Sequence, residues 1–135
     1  MSSKSLEVRL TELAPVVLGL FRIVFGFLFL CHAGVLLFGW PIGPAVPVGS
    51  WPLFYAGCIE LVTGTLITLG LFTRVAAFFA SGTMAFGYFT QHQPHGVLPI
   101  VNDGELSVLY CFAFLLMVFI GGGGLALDKI RSSRS

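Results

Sequence analysis

The chain has 135 residues, 56% of them hydrophobic and only 10% charged, with a formal net charge of +1 and a mean hydropathy of +0.96. Soluble domains carry about 25% charged residues, and one small soluble core cannot hide so large an apolar excess. The composition argues against a soluble enzyme, and the lack of any basic patch argues against a nucleic-acid partner. The chain reads as an all-α integral membrane protein of a single domain, residues 1–135.

Four hydrophobic spans follow in order. The head carries Leu6, Leu10 and Leu13 at helical spacing among charges, which fits either a short interfacial helix or a solvated tail. The first span runs from about residue 16 to 38. It is too long for the apolar core of a signal peptide, and no small-x-small cleavage site closes it. The second runs from about 53 to 72. The third, about 75–90, is shorter and contains Ser81, Gly82 and Thr83. The fourth covers about 106–120 and ends at Gly121 to Gly124, which read as a helix terminator. A spanning helix needs about 20 apolar residues, so spans three and four reach that length only with their flanks. All seven prolines lie outside these bounds, as helix interiors require. The breaker-rich stretches GWPIGPAVPVGSWP and QHQPHGVLPIVNDG are the connections.

Basic residues orient the spans. Lys4 and Arg9 precede the first, Arg74 lies between the second and third, and Lys129, Arg131 and Arg134 follow the fourth. The first and third connections hold no Lys or Arg. The positive-inside rule therefore puts both termini and the Leu71–Arg74 corner in the cytoplasm, giving a four-helix bundle. Trp40 and Trp51 flank the outer connection, where an aromatic belt is expected.

Glu60 is the one charge in the second span. A carboxylate at mid-bilayer costs on the order of 2.5–3.5 kcal/mol on insertion scales, so its presence calls for a reason. Gly57, Glu60 and Gly64 share a helix face, and small residues at that spacing let helices approach closely. Gly19, Arg22, Gly26 and Ala33 make a matching face on the first span, so the two faces are expected to pack together. At about 1.5 Å rise per residue, Glu60 lies roughly 10–13 Å below the outer surface, and His32 comes out at a similar depth. Arg22 sits about two turns in from the cytoplasmic start, able to snorkel outward or reach an acid. Glu60, His32 and Arg22 are thus candidates for handling a proton or binding a polar headgroup. The alternative is a carboxyl, neutral or paired with Arg22 or His32, that only locks the packing.

A second polar cluster, His92, His95, Asn102 and Glu105, falls in or beside the outer connection next to Asp103. Imidazole and carboxylate suit zinc or iron, but a proline separates the two histidines and no HExxH-type spacing appears. No metal site is expected. Cys31, Cys58 and Cys111 lack CxxC or metal-finger spacing and read as small buried hydrophobes.

These residues resemble the DoxX family of small four-helix membrane proteins. The similarity rests on FRIVFGFLFLCHAG, GCIELVTGTLITLGLFTR, HQPHGVLPIVNDGELSVLYCF and GGGGLALD, in that order, from about Phe21 to Asp128. The second block resembles the family's Gly-x-x-Glu and Gly-Leu-x-Thr-Arg corner, matched here by Gly57, Glu60, Gly64, Gly70, Leu71, Thr73 and Arg74. Asn102, Gly104 and Glu105 resemble its Asn-x-Gly-Glu. The last block resembles a Gly-rich turn ending at Asp128, with Gly122 where proline is common. Family members include the small membrane subunits of thiosulfate:quinone oxidoreductase, and others are associated with redox or thiol-stress complexes. The resemblance implies a multi-pass subunit of a quinone-linked or thiol/oxidative-stress oxidoreductase complex in the bacterial inner membrane. Such a subunit is not an enzyme by itself: no haem, flavin or Fe–S motif is present. Quinone is the one cofactor implied. It carries over no catalytic residue. Expected partners are the lipid bilayer and other membrane or peripheral redox proteins, with homo-oligomerisation open. The alternative is a non-catalytic accessory subunit packed against a larger membrane complex, such as a respiratory one.

Overall fold

The structure, a computed structural model, describes residues 5–133. Two of the cations used to orient the chain, Lys4 and Arg134, lie outside the described residues. Among the described residues the fold is all-helical: α1 (Leu6–Phe38), α2 (Leu53–Leu69), α3 (Thr73–Gly87), α4 (Glu105–Ile120) and α5 (Leu127–Ser133). Among these residues α1 alone is long and apolar enough to cross a membrane by length and composition; α2 and α4 are shorter apolar helices.

Several boundaries differ from the sequence expectation, each for a local reason. The head is neither a separate helix nor a tail, because α1 runs unbroken from Leu6 through Pro15. An interior proline loses its own N–H bond to the preceding turn and crowds the carbonyl four residues back, so the segment ahead of it needs other support. Here the Ser5 hydroxyl accepts the Val8 N–H at 3.4 Å and starts the helix, while the Pro15 carbonyl accepts the Gly124 N–H at 2.7 Å. α2 stops at Leu69 rather than residue 72, because Gly70 adopts φ +70°, a left-handed cap that glycine takes without a Cβ clash. α3 then starts at Thr73. It ends at Gly87 and passes into a π turn, Tyr88–His92, and a 3-10 turn, Gln93–His95. α5 was not anticipated.

α1 packs on α2, α2 on α3, α3 on α4, and α4 touches α1 again. Glycine sets the α1–α2 distance. A Cβ on Gly26 would lie 2.8 Å from the Thr68 backbone nitrogen, and one on Gly64 would lie 3.1 Å from Leu30. The other main face, α3 on α4, uses Ala76, Ala77 and Ala80 against Phe114 and Met117. Ser81 closes it by donating to the Cys111 carbonyl at 2.8 Å. Phe29 of α1 completes this core, its ring 4.8 Å from Phe114 and 5.6 Å from Tyr110.

Candidate functional site

The glycine-lined approach of α1 to α2 is what brings His32 and Glu60 together. Gly57 fits against Leu36 and Leu37, and Gly64 against Leu30, so the face between them, which holds Glu60, turns toward α1. Glu60 Oε2 meets His32 Nδ1 at 2.7 Å. The glutamate side chain is 1% exposed and the imidazole 46% exposed. The acid is therefore enclosed, and the outer edge of the histidine ring forms its boundary with the surroundings. A contact this short needs a proton between the two atoms, since neither an ionised carboxylate nor a bare imidazole nitrogen can donate. Either partner can hold it. Tyr110 of α4 and Cys31 of α1 lie within electrostatic reach of one another, and Tyr110 also of Glu60. The neighbourhood thus draws on three helices. Tyr110 carried no sequence signal, because its approach depends on α4 folding back across α1.

Arg22 is not part of this group. It lies ten residues earlier on α1, roughly 15 Å along the axis. Fully buried, it donates from Nη1 to the carbonyls of Gly122 at 2.7 Å and Gly124 at 3.0 Å. Nη2 donates to Leu125 at 3.0 Å. Its role is thus to hold the glycine-rich turn, whose carbonyls have lost their helical partners.

Asp128 fastens the next turn of the chain. Its two oxygens accept the N–H groups of Phe72 at 2.8 Å and Thr73 at 2.9 Å, capping the start of α3, and its own N–H donates to the Gly70 carbonyl at 2.9 Å. Partial burial pushes the Asp128 carboxyl up, but the Thr73 and Phe72 N–H donors and the Arg131 charge outweigh it and hold it below its ordinary value. Arg74 donates to the Phe119 carbonyl at 2.9 Å, closing the end of α4. A cleft of about 980 Å³ opens beside these contacts. A second, apolar cleft of about 290 Å³ lies between α2 and α3, lined by Trp51, Tyr55 and Phe86 among others. Neither His32 nor Glu60 lines either cleft.

Of the outer polar cluster, two members join in one network. Asn102, 4% exposed, donates to the Gly96 carbonyl at 2.8 Å and the Tyr88 hydroxyl at 3.1 Å, and accepts the Gly104 N–H at 2.9 Å. His92 Nδ1 donates to the Asn102 carbonyl at 3.1 Å. The network folds the connection onto the end of α3. His95 and Glu105 stay exposed. Among the described residues no three His, Cys, Asp or Glu side chains converge as metal ligands, and Cys31, Cys58 and Cys111 are free thiols.

A relative in Haemophilus influenzae, described as an uncharacterized protein, is 42% identical over 126 residues, spanning 89% of this chain and 94% of the relative. No solved structure matches the chain. The DoxX family model matches residues 17–93, a stretch that contains α1 from Val17 onward, all of α2 and α3, and both His32 and Glu60. With more than half its length matched, this helical, membrane-like chain belongs to the DoxX family.

Proposed function

We propose that the protein is an integral membrane subunit of a redox oxidoreductase complex, quinone-linked or concerned with thiol and oxidative stress, with no redox centre of its own. The helices form a four-helix bundle crossing the bacterial inner membrane, with both termini cytoplasmic. α1, about 50 Å long, exceeds the roughly 30 Å hydrocarbon core, so its charged first turns project into the cytoplasm.

The observation that carries the reading is the enclosed Glu60 bonded to His32. An intramembrane acid at a bundle interior is retained where it handles ions or polar ligands. A quinone carbonyl approaching the exposed edge of His32 meets a donor, and Glu60 behind it supplies the proton. Electrons come from a partner protein. A packing role is the second reading, favoured by the glycines at 57 and 64 that seat the same helix face against α1. Gentle purification from native membranes, with identification of bound lipids and proteins, separates the two. The redox reading expects quinone or a redox protein in the complex. A stable complex holding neither contradicts it.

A further inference from the structure

We infer that the 980 Å³ cleft at the α5 end binds an anionic phospholipid, with the phosphate on its cationic rim and the upper acyl chain on its apolar wall. Its lining includes the apolar Leu18, Val75 and Ile120 and the cationic Arg74, Lys129 and Arg131, which in the proposed site serve as wall and rim. A phospholipid uses both kinds of lining, whereas a free phosphate uses only the rim. The cations are arranged before any ligand arrives. Arg74 is fixed by the carbonyls of Val118 and Phe119. Arg131 lies 4.3 Å over the Phe72 ring and 3.7 Å from Asp128. Lys129 is exposed and forms no ion pair among the described residues. Asp128 is the one acid in the lining, and both its oxygens already accept backbone N–H groups. Three cations against one carboxylate leave the lining at +2.

The site rests on the topology proposed above, in which this end of the bundle meets the cytoplasmic leaflet. Anionic headgroups there attract basic side chains near the surface. It is independent of the quinone reading, since Glu60 and His32 line no part of the cleft.

The test uses the full chain in a neutral detergent, titrated separately with short-chain phosphatidylglycerol, phosphatidylcholine of equal chain length, and sodium phosphate. Native mass spectrometry and thermal shift report binding. The expected result is retention of phosphatidylglycerol with a raised unfolding midpoint, and neither effect with the other two. Lys129→Gln/Arg131→Gln should weaken phosphatidylglycerol binding roughly 30-fold, from about tenfold or less per cation. Ile120→Trp fills the apolar part of the cleft without removing a cation and should also lose the lipid, which keeps the test decisive if the double variant fails to fold. Equal effects of phosphatidylcholine, an equal effect of phosphate alone, or undiminished lipid binding in the folded variants would each overturn the proposal. Glu60→Gln should retain phosphatidylglycerol, so loss of the quinone reading leaves this result standing. A membrane-impermeant maleimide should modify Lys129→Cys from the cytoplasmic side; modification from the opposite side overturns the leaflet assignment and the site with it.

Discussion

Replacing Arg22 with methionine should release the glycine-rich turn. Methionine keeps much of the side chain's length and removes the cost of burying a charge. It leaves the carbonyls of Gly122, Gly124 and Leu125 without the donors that now lie 2.7–3.0 Å away. Hydrogen bonds to charged groups are each worth about 1.5–3 kcal/mol, and stranded buried acceptors add to the loss. Against that stands the relieved desolvation, which in some proteins makes removal of buried ions neutral. Because the carbonyls cannot leave with the arginine, we expect a net loss of about 3 kcal/mol. For a chain of this size that corresponds to a fall in unfolding midpoint of about 10 °C. The assay is thermal unfolding in detergent, paired with limited proteolysis across residues 121–127. Faster cleavage in that segment should precede global unfolding. An unchanged midpoint with unchanged cleavage would refute the assignment of Arg22 as the clasp of this turn.

Asp128 gives a pH dependence of definite sign. Its folded value lies below the ordinary 3.8, so its stabilisation is complete above that pH and is lost as acidification passes through the lower folded value. Asp128→Asn should unfold more readily at neutral pH and lose less on acidification than the wild type; parallel acid curves for the two proteins would count against the cap. Gly26→Ala places a Cβ 2.8 Å from the Thr68 nitrogen and should destabilise by about 1–3 kcal/mol through overpacking of α1 on α2. Gly82→Ala meets nothing within 4 Å and should stabilise α3 by about 0.5–1 kcal/mol. Midpoints that shift alike in the two glycine variants would contradict the packing described.

Much of the architecture was readable in advance because it depends on local pattern. Long apolar runs mark α1, α2 and α4, and the spacing of Gly57, Glu60 and Gly64 orients the acid toward the neighbouring helix. His32 was readable as a level partner because helical rise converts sequence distance into depth. What escaped depends on contacts with no side-chain signature. Arg22 binds backbone carbonyls a hundred residues away, and a run of glycines does not announce that its carbonyls need a cation. α5 is only seven residues long and is held by Asp128 at the α2–α3 corner, not by its own periodicity. Pro15 suggested a boundary, yet the helix continues through it because a well-capped first turn and a docked carbonyl stabilise the segment ahead of it. Tyr110 reaches the Glu60 neighbourhood only through the return of α4 to α1.

The Glu60–His32 pair is the centre of the functional account, and Glu60→Gln tests it most directly. Glutamine keeps the shape and can still hydrogen-bond His32, but it cannot take up or release a proton. The measurement is quinone-linked electron transfer in native membranes, with the amount of assembled complex quantified in the same preparation. The account predicts normal assembly and a loss of activity of about 100-fold, the lower end of the usual contribution of a positioned acid–base group. Normal assembly with wild-type activity would contradict it, and failed assembly would assign Glu60 to helix packing.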